Sequence, residues 1–290
     1  MVTTTPSATA WEPGLGRRTA GLNLCHENAE ALLREKPRLD FIQIHPEHLL
    51  QEQGGQYRHQ LDQLRRIYAV TFHGFGLSVG SIAPLNTEYL QLVRNLLRQH
   101  PGSFFSDHVS WSSLSQHHFH DLIPLIYSDE TLAFLCERVE QVQDAIDAPL
   151  LLENISSYMR FQQSSMDEID FINELTARTG CYLLLDLNNL FANAMNFGED
   201  PALLLERIRP DSVRSYHMAG CTEEQHEVGT VWIDYHREPV RPEVWSLYQR
   251  ALELFGPWST LLEWENNIPP LHETLAEVRK IEQLINNVGV

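Results

Sequence analysis

Eight short runs rich in aliphatic and β-branched residues recur along this chain, and a stretch of helical periodicity follows nearly every one. They are GLNL (21–24), FIQIHP (41–46), YAVTFH (68–73), SFFSDHVS (103–110), PLLLEN (149–154), CYLLLDLN (181–188), SVRSYHM (212–218) and STLLEWE (259–265). Strands that alternate with helices lie parallel, and parallel strands are buried on both faces, which is how Leu150 to Leu152 and Leu183 to Leu185 read. Eight such units predict an α/β fold, a (β/α)8 TIM barrel, in one domain over 14–290, and 290 residues suit it. In 129–146, Leu132, Leu135, Cys136, Val139, Val142 and Ile146 fall at helical steps and form an apolar stripe that would lie against the barrel. Comparable patterns cover 55–67, 86–99, 167–179, 200–209, 241–255 and 272–285. A two-domain dinucleotide-binding reading would need a GxGxxG turn; HGFGLSVG (73–80) has the wrong spacing and no helix directly after it.

Composition narrows the partners. The formal charge of −18 repels phosphate backbones, and Arg17, Arg18, Arg65, Arg66, Arg207 and Arg209 are too dispersed to form a basic patch, so nucleic acid is disfavoured. With 43% hydrophobic residues the chain is folded rather than disordered. No run approaches a membrane span, and the start carries no signal pattern. The four cysteines are widely spaced without a CxxC pair, which predicts a reducing, cytoplasmic setting; Cys25, Cys136 and Cys181 read as core or strand residues. Residues 1–13 are expected to be a mobile tail.

Polar residues gather where the runs end: His45 and Glu47, then His73, Asp107 and His108, Glu153 and Asn154, Asp186 with Asn188 and Asn189, His217, and finally Glu263 and Glu265. In a TIM barrel those ends converge on one mouth. Carboxylates converging there repel each other unless cations compensate them, so Glu153, Asp186 and Glu263 beside several imidazoles point to metal. Asp234 and His236 in IDYH, two residues apart on an extended segment, add two candidates. The set His73, His108, Glu153, Asp186, His217, Asp234, His236 and Glu263 exceeds one ion's needs, so two or three metals fit better. Imidazole and carboxylate without thiolate suit iron, manganese or zinc.

Any one of these histidines is more readily a hydrogen-bonded strand end than a ligand, but ionisable groups at six successive strand ends are costly to bury without metal. His117, His118 and His120 read as a solvated loop run in preference to a lid contact. GLSVG around Ser78 has the letters of G-x-S-x-G, but no helix starts directly after it as a nucleophile elbow requires, so a Ser-His-Asp reading is discarded. A glycosidase pair of Glu153 and Glu263 would leave the histidines without a task.

Taken in order, FIQIHPEHL, FHGFGLSVG, SDHVSW, HDLIPLIY, LLENISSY, LLLDLNNLFANAMNFG, YHMAG, IDYHREPVRPEVWSLY and LLEWENNIP resemble the multinuclear non-haem iron-dependent oxidative enzymes, the family that includes the iron enzyme of methanobactin biosynthesis. The likeness runs from GLGRR at 14–18 to IEQL at 281–284. It implies a TIM barrel holding two or three irons in a mixed-valence Fe(II)/Fe(III) state, with O2 as co-substrate. It also implies oxidative modification of a ribosomally made precursor peptide at cysteine, hydrogen abstraction from the cysteine β-carbon opening the rearrangement. By this resemblance His73, His108, Glu153, Asp186, His217 and Glu263 hold the central, catalytic pair, and Asn189, Asp234 and His236 a third ion. His45, Glu47, Asp107, Ser110 and Asn154 are expected to contact substrate or the ligands. Cys221 stands where the family carries a second His, and Gln43 where a Glu is frequent; Cys221 reads equally as a thiol beside the iron or as a loop spacer. Relatives work with a small partner protein that captures the leader peptide, and one is expected here. The alternatives are a zinc or manganese hydrolase resembling abasic-site endonucleases, a sugar isomerase on the same barrel, and a non-catalytic peptide scaffold.

Overall fold

The computed structural model describes residues 16–51, 55–114, 117–227 and 229–288; the tail expected over 1–13 lies outside them. The strands are β1 (Ala20–Asn23), β2 (Phe41–Ile44), β3 (Ala69–His73), β4 (Phe105–His108), β5 (Trp111–Leu114), β6 (His117–Ile123), β7 (Leu150–Glu153), β8 (Tyr182–Asp186), β9 (Val213–Met218), β10 (Thr222–His226), β11 (Gly229–Ile233) and β12 (Ser259–Leu262). Eight of them close a parallel barrel in the order β1, β2, β3, β4, β7, β8, β9, β12 and back to β1. These eight are the runs read from the sequence. The other four make two antiparallel hairpins, β5–β6 after β4 and β10–β11 after β9. The histidine run at 117–120 therefore falls in a strand, not in a loop, and the side chains of His117, His118 and His120 lie outside the described residues.

The helices are α1 (His26–Glu35), α2 (Pro46–Gln51), α3 (Gln56–Leu64), α4 (Thr87–Gln99), α5 (Asp129–Ile146), α6 (Glu168–Thr179), α7 (Leu187–Phe197), α8 (Pro201–Arg207), α9 (Pro242–Phe255) and α10 (Leu271–Asn287). Their starts are written in the sequence: Asn86, Ser128, Asp167 and Asp200 each accept backbone N–H groups of the first turn through their side chains. The stripe of α5 is buried at Leu132, Leu135, Val139, Val142 and Ile146, with Cys136 partly buried at its margin. Helix α7 escapes periodicity because Leu187 to Ala194 are buried all round, leaving no polar face to mark it.

Inside the barrel, Phe104, Leu151 and Leu184 form a small apolar plug, separate from the large core between strands and helices. Side chains alternate along a strand, so the residues two places beyond Leu151 and Leu184, namely Glu153 and Asp186, also face the interior, one layer nearer the mouth. The same count from Thr71, Ser106, Ser215 and Leu261 leads to His73, His108, His217 and Glu263. Periodicity in the strands thus stacks six expected ligands in one layer above the plug.

Candidate metal centre

Glu153, at the end of β7, stands at the middle of that layer. His73 Nε2 lies 3.1 Å from its Oε2 and 3.2 Å from His108 Nε2, which is itself 3.6 Å from the same oxygen. On the other side Glu153 Oε1 is 3.2 Å from His217 Nδ1, and that nitrogen is 3.2 Å from Glu263 Oε2. Asp186 completes this half: ligand atoms of Glu153, Asp186, His217 and Glu263 all lie within 4.8 Å of one another. A third group continues outward, with His236 Nδ1 3.6 Å from Glu263 Oε2 and Nε2 2.6 Å from Asp234 Oδ1. Asn188 donates to the same Asp234 oxygen. Asn189 gives its backbone N–H to Asp186 Oδ1 and its side-chain N–H to the Asn154 carbonyl, which leaves its buried Oδ1 without a partner.

The electrostatics are those of a crowded acid and imidazole cluster. Burial, reinforced by Glu153 and Asp234, pushes Asp186 well above the usual carboxylate range. Burial holds His73 well below the usual imidazole value. Burial also works against charge on His217, but Glu153 and Glu263 outweigh it and raise that imidazole; His217 and His236 in turn outweigh burial at Glu263 and lower it. Hydrogen bonding does not close the cluster. Glu153 Oε2, Asp186 Oδ2, Asn189 Oδ1, His217 Nδ1 and both ring nitrogens of His236 are buried without a hydrogen-bond partner. Orphaned buried lone pairs concentrated in one place fit bound cations, because metal coordination satisfies them together.

Surrounding residues fix this geometry. Asn23 donates to the carbonyl of Trp264 and accepts its N–H, and Asn154 does the same for Asp186. Each amide thereby adds a rung beyond the ladder at a ligand-bearing strand end. His73 Nδ1 is 2.8 Å from Ser106 Oγ, which turns Nε2 toward the cluster. His45 donates Nδ1–H to the His73 carbonyl and packs its ring against Phe75.

Glu47 and Asp107 bind the glycine-rich loop. Glu47 Oε1 accepts from the N–H groups of Phe75 and Gly76 and from the Tyr89 hydroxyl, and Asp107 Oδ2 accepts from Leu77 N–H. A Cβ on Gly74 would lie 2.2 Å from Tyr89 Oη, and one on Gly76 2.8 Å from Glu47 Oε1. The glycines therefore let the loop close on two carboxylates rather than on a phosphate. Ser78 Oγ accepts from Ser112 and Ser113, tying the loop to β5, and the Ser110 carbonyl accepts from Gly80 N–H. Glu47→Ala is expected to destabilise the fold by about 2–3 kcal/mol, since it strands two backbone donors and a buried phenol. Chemical denaturation measures this, and an unchanged midpoint would remove the loop role.

Cys221 is buried in the apolar core, which pushes its thiol up to about 12. Sequence reasoning passed over Asn23, and it named Glu265 and Gln43 without placing either at the metal centre. Glu265 Oε2 lies 3.6 Å from His236 Nδ1, and its spacing of two from Glu263 was the available signal. Asn23 and Gln43 read as polar interruptions in apolar strands; the same alternation places both beside the ligands.

Fold and centre together define a TIM barrel with a carboxylate and imidazole cluster at its mouth. A xylose isomerase-like TIM barrel protein from Mycobacterium smegmatis, solved in complex with magnesium, aligns over 95% of this chain and 98% of its own at a TM-score of 0.59 and 13% identity. Endonuclease IV from Thermus thermophilus aligns over 93% and 100%, with TM-score 0.58 and 13% identity. These likenesses concern the fold. In sequence, a UPF0276 protein of Vibrio vulnificus (strain CMCP6) is 39% identical over 279 residues, 96% of this chain and 94% of that relative. The family model of the RiPP precursor modification enzyme MbnB/TglH/ChrH matches residues 19–286, and the chain belongs to that family. It is thus an enzyme of a family that modifies precursors of ribosomally synthesised and post-translationally modified peptides. Among the described residues no helix is long and apolar enough to cross a membrane.

Proposed function

We propose that this protein uses two or three iron ions and O2 to oxidise cysteine in a precursor peptide. The observation that carries the reading is Glu153, whose two oxygens address imidazoles on opposite sides, as a carboxylate shared between two ions would. His73, His108, Glu153, Asp186, His217 and Glu263 would hold the central pair, and Asn189, Asp234 and His236 the outer ion. Bound iron would supply one-electron oxidation chemistry with O2, which no side chain here can perform. The chain's own contribution is placement. Burial keeps water from His217 and Glu153, the Asn23 and Asn154 amides fix the strand ends, and Glu47 and Asp107 hold the loop beside His45 and Phe75 at the mouth. Four free cysteines accord with a reducing, cytoplasmic setting. A small protein that presents the leader peptide would complete the system.

The test is metal analysis and Mössbauer spectroscopy of anaerobically purified, iron-replete protein, followed by O2-dependent mass change in a cysteine-containing precursor. Two or three irons per chain, lost in His217→Ala, are expected. Two or three zincs and no iron would favour a hydrolase.

A further inference from the structure

His217 is fully buried, and its two ring nitrogens face opposite demands. Nδ1 lies 3.2 Å from oxygens of both Glu153 and Glu263 yet is aligned for a hydrogen bond with neither. Nε2 lies 3.1 Å from Nε2 of Gln43, nitrogen against nitrogen, while Gln43 Oε1 is buried without a partner. If the amide nitrogen donated to His217 Nε2, a neutral ring would carry its proton on Nδ1, where no hydrogen bond receives it. The oxygen and nitrogen of a side-chain amide exchange places by a half-turn of the last torsion. After that turn Gln43 Oε1 accepts Nε2–H, and Nδ1 presents a lone pair between the two carboxylates. A further buried orphan lies beside this pair: Thr71, in register with Gln43 on the next strand, has an unpartnered hydroxyl that can receive the displaced amide N–H.

We propose that Gln43 is the positioning residue that fixes His217 with its proton on Nε2 and so presents Nδ1 to the metals. The inference rests on the metal-centre reading, but not on iron or on O2. A neutral amide can hold this tautomer without pulling the proton away, whereas a carboxylate in its place would strengthen the donation and enrich the ligand nitrogen.

The test uses the full chain with zinc as a diamagnetic probe. Zinc affinity is measured by competition with a chelator, and the His217 tautomer by long-range 1H–15N correlation of labelled histidine. The wild-type protein is expected to show Nε2–H and a metal-shifted Nδ1. Gln43→Leu is expected to weaken zinc binding about 10–100-fold and to lose that signature. Gln43→Glu should retain both, with the Nε2 proton shifted downfield, which rescues the effect and separates it from misfolding. Gln43→Leu protein that binds zinc as the wild type does, with the tautomer unchanged, would overturn the proposal. A wild-type chain that takes up no zinc would overturn the metal-centre reading itself.

Discussion

Glu153→Gln is expected to reduce bound metal from two or three ions per chain to one at most, and to lower peptide modification at least about 10³-fold. Oε2 serves the His73 and His108 side and Oε1 the His217 side, and a glutamine keeps an oxygen for only one of them, so one substitution ends the sharing and removes the negative charge. The metal-free protein should melt within a few degrees of wild type. Glu153 is itself one of the charges that push Asp186 upward, and removing it relieves that repulsion while it weakens the support of His217. The difference belongs to the loaded state: metal at about 1,000 times its dissociation constant stabilises a native chain by about 4 kcal/mol, and the variant should forfeit that gain. Metal analysis together with melting curves with and without metal separates the two states. A variant that kept its full metal complement and activity would remove Glu153 from the centre.

The second large effect is expected from Gly220→Ala, in the turn that leaves β9. A Cβ there would lie 2.0 Å from the carbonyl oxygen of Glu238 and 2.8 Å from that of Pro239, both backbone atoms that no rotamer change can move. Only a glycine lets the chain beyond His217 pass under the segment that follows Asp234 and His236. We expect a loss of about 3 kcal/mol, the upper end for overpacking, and a melting point lower by about 6–12 °C. Because relief requires residues 234–239 to move, the outer Asp234 and His236 group should also lose metal before the Glu153 group does. A melting point within about 2 °C of wild type would show that the turn accommodates the methyl group.

Sequence alone exposed the barrel because buried parallel strands are continuously apolar and each ends abruptly in acid, amide or imidazole, as LLLE and LLLD do at 150–153 and 183–186. It did not expose the second hairpin, since TEEQH is polar throughout and GTVWI reaches the core only through a partly buried Trp232, so neither carries a clear apolar alternation. The eight expected ligands sit in the connected clusters described above, because alternation fixes which strand-end residues face inward. The supports of those ligands were harder to see. Gln43 meets His217 from 174 residues away, and the two lie three strands apart around the barrel, so only closure makes them neighbours. Glu47 and Asp107 read as contacts to the ligands or to substrate; Asp107 does lie against His108, and both also accept backbone N–H groups of the loop, which no side-chain pattern reveals.

The paired amides of Asn23 and Asn154 leave no room for an acid in their place. Each uses its carbonyl and its N–H at once, against one residue's N–H and C=O. Hydrolysis of either amide to the acid, the slow damage by which proteins age, would set an oxyanion against the carbonyl oxygen of Trp264 or Asp186. The barrel below would persist on its apolar plug and outer core while the mouth came out of register, so a molecule so altered would lose its chemistry before its fold.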